Sequence, residues 1–301
     1  MYYIIFPILY TISLLPLRVL YLLSDFVTFI LYNIVGYRKE VVMQNLTNAF
    51  PLKTEEEKKK IAKQFYRNFC DNWLEALKMM SISEKEMKRR FTHDLSVLAE
   101  IHKTGKCCHI LLGHQFNWEW ANAVVPMYVP FKVLTAYSPI SNKALDRLFL
   151  YLRQRLGPIM LPFNDMAKAM LPHRHTQYIL ALVADQSPSN PMKSFWLNFL
   201  GKPTAFVQGP EKGARLGNIP VTFMAFSKPK RGHYHLQSIL IDENPGSGKP
   251  GDVTRKYVEL LESNILANPA IYLWSHKRWK LKWKDEYKRL WIDVSPPPNN
   301  A

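Results

Sequence analysis

Apolar residues recur at every fourth position from Ile61 through Phe65, Phe69 and Trp73 to Leu77, with lysines and other polar residues between them. This period predicts an amphipathic helix, with Thr54 as its N-cap and Glu55 to Glu57 in its first turn. A second helical stretch is expected over SEKEMKRRFTHDLSVLAEIHK, broken near Phe91 to Asp94 and ending before Gly105. From Cys107 the pattern changes. The short apolar runs CCHILL, FKVLTAY, YILALVA, IPVTFMAF and HYHLQSILI read as strands. Between them NKALDRLFLYLRQRLG, DMAKAMLPH and GPEKGARLG read as helices, and VTRKYVELLESNILAN adds a late one after the surface loop DENPGSGKPGD. This alternation predicts an α/β fold with a mixed, mostly parallel sheet flanked by helices.

The first 37 residues follow a different rule. They hold only Arg18 and Asp25 as charges, and their composition is that of a membrane segment. Pro7 and Pro16 interrupt the charge-free part, so the segment tilts, kinks or lies in the interface. Arg18 and Asp25 share a helical face but stand about 10 Å apart along the axis, too far to pair directly. No basic leader region and no small-residue cleavage site accompany the apolar stretch, which fits a retained anchor helix better than a signal peptide. The basic residues that follow, from Arg38 and Lys39 into KTEEEKKK, place the main domain on the cytoplasmic side. The expected organisation is an anchor over 1–37, a main domain over 38–295 and a disordered tail over 296–301.

Composition narrows the class. The net charge of +16 implies an anionic partner, and 48% hydrophobic residues supply a real core. The three cysteines, Cys70, Cys107 and Cys108, are an odd number with two adjacent, which argues against a disulfide framework and for a reducing compartment.

The candidate chemistry lies in GHQFNWEW. His114 follows the strand-like HILLG and precedes Glu119 by five residues. Composition alone supplies roughly 0.7 such His-x4-acid pairs, so the spacing carries little by itself. Position carries more: in an open α/β sheet, reactive groups gather beyond the carboxyl ends of the strands. There an imidazole can take a proton from a hydroxyl, with a carboxylate on its other nitrogen to fix the tautomer. Two carboxylates compete for that place. Glu119 reaches it if it sits in the first turn of a helix begun after His114, and Asp185, ending YILALVAD, faces the same crevice. Asn117 serves as loop-holder or N-cap. The pairs His173/His175 and His233/His235 lack an evident third ligand, so no metal is expected.

GHQFNWEW resembles the His-x4-acid block of the glycerolipid acyltransferases, and more narrowly the GHxGNWE form of the bacterial lipid A late (lauroyl/myristoyl) acyltransferases. The resemblance runs on in order through YSPISNKALDRLFLYLRQRLG, LVADQSP, FLGKPTAFVQGPEKGARLGNIPV and YVELLESNILANPAIYLWSHKRWK, over roughly residues 1 to 282. Gln115-Phe116 departs from the family's small residue and glycine, and Tyr272 stands where a tryptophan is common. The resemblance implies a glycerolipid acyltransferase-like fold and acyl transfer from a thioester, acyl carrier protein, to a hydroxyl of a membrane glycolipid at the bacterial inner membrane. No cofactor beyond the acyl-thioester co-substrate is implied.

In that scheme His114 is the general base, worth typically 10²- to 10⁴-fold, and Glu119 orients it, with Asp185 as the rival. Arg153, before Gly157, is the candidate oxyanion or substrate donor. Gly209, at the start of a helix, and His276 with Arg278 are candidate phosphate or membrane contacts. A lysophospholipid or aminolipid is the alternative acceptor. A non-catalytic basic protein binding membrane or nucleic acid is the alternative class, but nucleic-acid binding leaves the apolar segment and the ordered blocks unexplained.

Overall fold

The computed structural model describes residues 2–298; Met1 and the last part of the expected tail, 299–301, lie outside the described residues. The chain opens with α1 (Tyr2–Leu14) and α2 (Leu17–Phe29), parted just before Pro16, and α2 continues as a π-helical turn over Ile30–Val35. Next come α3 (Lys39–Ala49), α4 (Glu55–Lys78), α5 (Glu84–Arg90), β1 (Phe91–Asp94) and α6 (Ser96–Lys103). The expected break in the second helical stretch is thus a short strand. The core of the fold follows as β2 (Cys108–Leu112), α7 (Trp118–Val124), β3 (Lys132–Tyr137), α8 (Lys143–Gln154), β4 (Ile159–Pro162), α9 (Met166–Met170) and β5 (Tyr178–Val183). The hairpin β6 (Ser194–Phe199) and β7 (Lys202–Val207), then α10 (Gly209–Gly217), β8 (Val221–Lys230), β9 (His233–Asp242) and α11 (Asp252–Ala267) complete the order.

Seven strands form one sheet in the order β1-β9-β8-β2-β5-β3-β4, and β6 and β7 pair separately. Every neighbour pair in the large sheet is parallel except β8 with β9. The fold is therefore the expected mixed, mostly parallel α/β sheet flanked by helices. All five side chains of β2 are buried, as expected for the centre of a sheet covered on both faces.

Helix α4 begins as its sequence dictates. Thr54 and Glu57 form a reciprocal capping box, with Glu57 N donating to Thr54 Oγ1 and Thr54 N to Glu57 Oε2. Its buried face is not the stripe spaced by four. Steps of four advance about 40° beyond a full turn each time, so the stripe drifts round the helix. Ile61 and Phe65 are buried, whereas Trp73 lies exposed, edge-on to Phe149 of α8. The buried face carries Asp71, Asn72 and Glu75 instead.

Candidate active site

Strands β2 and β5 are neighbours, with Leu112 opposite Val183. Two residues beyond each of these, where the strands have ended, stand His114 and Asp185. Register alone therefore brings them together at the carboxyl edge of the sheet. His114 Nδ1 lies 2.5 Å from Asp185 Oδ1, and the His114 backbone N–H donates to Asp185 Oδ2 at 3.0 Å. The carboxylate is buried and the imidazole one-fifth exposed. An ionised carboxylate only accepts, so Nδ1 carries the proton, and in the neutral imidazole Nε2 keeps its lone pair. The Gln186 side-chain amide lies 3.2 Å from Nε2, the geometry of a donor to that lone pair. Burial works against the charge of Asp185, but the His114 imidazole beside it, its two hydrogen bonds and the more distant Arg278 hold the carboxyl below the usual range.

Glu119 does not take the place beside His114. It lies in the first turn of α7, and its carboxylate receives both Nε (2.9 Å) and Nη2 (2.6 Å) of Arg153 from α8. This bidentate pair is largely buried, and the Trp118 indole N–H adds a third donor to Glu119 at 3.1 Å. The expected His114–Glu119 couple is replaced by two couples, His114–Asp185 and Glu119–Arg153, because the β2–β5 register seats Asp185 first. Trp118 lies between them in the chain, its ring edge-on to His114 with centroids 5.4 Å apart.

Asn117 is the N-cap of α7, its Oδ1 accepting from Trp120 N at 2.9 Å. Gly113 lets the strand end approach α11: a Cβ there would stand 2.5 Å from Leu261 Cδ1.

Two expected phosphate or membrane contacts are placed elsewhere. Arg278 is buried, with Nη2 donating to the Ala205 carbonyl at 2.8 Å and its guanidinium 4.2 Å over the Phe206 ring. It stands in the protein interior as a charge near Asp185, not on a lipid-facing surface. His276 is half-buried, and its Nε2 accepts the Ser187 backbone N–H at 3.2 Å, bracing the loop that leaves Asp185. Burial pushes this imidazole down to about 4; Asp185 pulls the other way, and the nearby Arg278 and His114 add to the lowering. Gly209 opens α10, exposed, with Pro210 in the first turn, which is ordinary helix-start chemistry.

Two residues that the sequence did not single out join the site. Gln186 follows Asp185 directly, within the LVADQSP block. Glu75 is buried on α4, receives the Asn117 side-chain amide at 2.8 Å and accepts the Trp120 indole N–H through its backbone carbonyl at 2.6 Å. Its signal was a carboxylate on the apolar side of an amphipathic helix. Among the described residues, no group of three or more His, Cys, Asp or Glu side chains is arranged to hold a metal.

A family model described as bacterial lipid A biosynthesis acyltransferase matches residues 1–281. The chain belongs to this family. It is therefore an O-acyltransferase of the lipid A biosynthesis type. No individually curated protein matches it. The match includes α1 and α2 as well as the sheet. The rival view of a non-catalytic basic protein gives way here.

Proposed function

We propose that the protein moves a fatty acyl chain from acyl carrier protein to a hydroxyl of a lipid A precursor on the cytoplasmic face of the bacterial inner membrane, with His114 as general base. The observation that carries this reading is the contact of His114 Nδ1 with the buried Asp185 carboxylate, which assigns the proton to Nδ1 and leaves Nε2 of a one-fifth-exposed imidazole as the acceptor. Nε2 removes the acceptor's hydroxyl proton as the oxygen attacks the thioester carbonyl. The tetrahedral oxyanion collapses, the carbon–sulfur bond breaks, and the thiolate takes the proton back from the imidazolium. An ester and a free thiol result.

Arg153 is the group proposed to meet the oxyanion or an acceptor phosphate. Glu119 grips its Nε and Nη2 edge and so aims the remaining Nη1, which has no hydrogen-bond partner among the described residues. In this scheme Glu119 positions Arg153 rather than the base, and Asp185 alone orients His114. Gln186 yields its hydrogen bond on Nε2 when substrate arrives.

The test is acyl transfer by purified protein from acyl carrier protein to a Kdo-bearing lipid A precursor, with His114→Ala expected to abolish it in a folded protein. Full activity of folded His114→Ala would overturn the mechanism. Transfer only to a lysophospholipid would keep the chemistry and reject the acceptor. Analysis of the lipids of a strain lacking the protein identifies the missing chain and its position.

A further inference from the structure

α2 and its π-helical continuation, Leu17–Val35, are long and apolar enough to cross a membrane. Their side chains divide into two opposite stripes. Leu17, Leu20 and Ser24 are buried at helical spacing against the domain, while Val19, Leu22, Phe26 and Phe29 face outward at the same spacing. Leu22 is 70% and Phe26 61% exposed, and Ile4 and Ile8 of α1 add a similar outward face.

The inward stripe is polar where it matters. Ser24 Oγ donates to Asp71 Oδ1 at 2.7 Å, and Tyr21 donates to Glu75 Oε1 at 2.7 Å. Asp25 accepts from Arg231 at 2.9 Å on each oxygen and from Arg67 at 3.0 Å. Arg231 lies in the turn between β8 and β9 and also grips Asp71. In the same turn Gly232 has φ +71°, and a Cβ there would collide with the Tyr21 hydroxyl, so the hairpin is shaped to receive α2.

Asp25 falls near the middle of Leu17–Val35. To cross a bilayer, α2 would have to strip Arg231 and Arg67 from this carboxylate and leave it in hydrocarbon, at a cost that unpaired intramembrane charges rarely meet. Docked as it is, α2 shows lipid one side only. The exposed charge of residues 2–37 is also one-sided: Arg18 is free of any hydrogen-bonded acid among the described residues, and the one carboxylate, Asp25, is neutralised by arginines.

We propose that α1 and α2 do not span the membrane but form a fixed docking face lying in the plane of an anionic lipid surface, joined to the catalytic domain through Asp25, Arg231, Asp71 and Tyr21. The proposal rests on the reading that the enzyme acts at a membrane, and it specifies how. The docked helix shares Glu75 with the Asn117 cap, so the lipid surface meets the protein on an element wired to the active-site helix.

The test places single cysteines at Val19, Phe26 and Ile34 of the full chain, labels them with an environment-sensitive fluorophore over the background of the native thiols, and binds the protein to vesicles of phosphatidylethanolamine and phosphatidylglycerol. In-plane docking predicts that all three probes are quenched best by lipids brominated near the headgroup. A Phe26 probe quenched best at the bilayer centre, with Val19 and Ile34 shallow, overturns the proposal in favour of a crossing helix. The pair Leu22→Ser and Phe26→Ser together should weaken vesicle binding by about tenfold or more. Unchanged binding of that variant also overturns it. A protein that ignores vesicles yet acylates a detergent-dispersed acceptor refutes the docking face and leaves the function standing, whereas shallow probes without acyl transfer do the reverse.

Discussion

Asn117 donates its side-chain amide to Glu75 Oε2 at 2.8 Å, while its own Oδ1 caps the helix that carries Glu119. Tyr234 donates to the same Glu75 oxygen at 2.5 Å and Tyr21 to the other at 2.7 Å, so a fully buried carboxylate satisfies three donors from three elements. Burial, more than the nearby Asp71, raises its pKa, against the pull of Lys228 and these hydrogen bonds. Glu75→Gln keeps the shape but replaces one acceptor with a donor. Unfolding in urea should show a loss of about 1–3 kcal/mol, the cost of one buried group left unmatched. Turnover should fall about tenfold or more with KM little changed, because the α7 N-terminus shifts while acceptor contacts remain.

Asp185→Asn should be more damaging to catalysis than to folding. The amide's NH₂ would donate to Nδ1, forcing the proton onto Nε2, the nitrogen that has to accept. Loss of about 10²- to 10⁴-fold in kcat is expected, with circular dichroism and KM close to those of the parent. Activity within a factor of about two of the parent would show that the tautomer is not controlled here.

What could be read from the chain is local. The helix from Thr54, the strand before His114 and the alternation of strands and helices are written in short-range periodicity, and the sheet follows them. The partner of His114 is not local: it depends on β2 lying beside β5 in one register, which no spacing within GHQFNWEW records. The β6–β7 hairpin was hidden for another reason. Its two-residue turn is Leu200-Gly201, with φ +50° and +75°, a geometry that Asn-Gly or Asp-Gly usually signals. Leucine there masks the signal. Glu262 accepts the Leu200 N–H and so ties this turn to α11.

Glu119 and Arg153 should behave as a unit. Removing either partner leaves the other charge largely buried without its match, so Glu119→Gln and Arg153→Met should each destabilise the fold and depress turnover. The double variant should lose less than the two singles combined. A coupling of about 1 kcal/mol or more in a double-mutant cycle is expected, and strict additivity would show that the two carboxylate contacts contribute nothing jointly. Arg153→Lys should not restore activity, since an ammonium cannot occupy both carboxylate oxygens and still present a donor in Nη1's direction.

Stability should fall in mild acid. His276 and His109 are both pushed down to about 4, mainly by burial, from an ordinary value of 6.5. Between those values the unfolded chain binds protons that the folded chain refuses, so stability is full above about 6.5 and declines as pH drops toward 4. Asp185, held below the usual carboxyl range, adds a further loss only at still lower pH. Urea midpoints at pH 7 and pH 5 measure the decline. His276→Gln, which can still accept the Ser187 N–H, should show a smaller difference between the two pH values, and an unchanged difference would exclude His276 as a contributor.

Gly113→Ala tests how closely the strand end must approach α11. The added methyl meets Leu261 Cδ1, itself fully buried, and the Asp185 carboxylate lies only 3.7 Å from the same point. The leucine can turn, but in a packed core its new rotamer displaces neighbours at a cost of about 1–3 kcal/mol. A shift of His114 relative to Asp185 follows, and activity should drop with stability. Leu261→Val removes the colliding atom and should recover a good part of both in the double variant, although alone it costs about 1 kcal/mol. If Leu261→Val restored stability but not turnover, the damage would lie in the His114–Asp185 geometry rather than in packing, since the Asp185 carboxylate lies within van der Waals reach of the methyl.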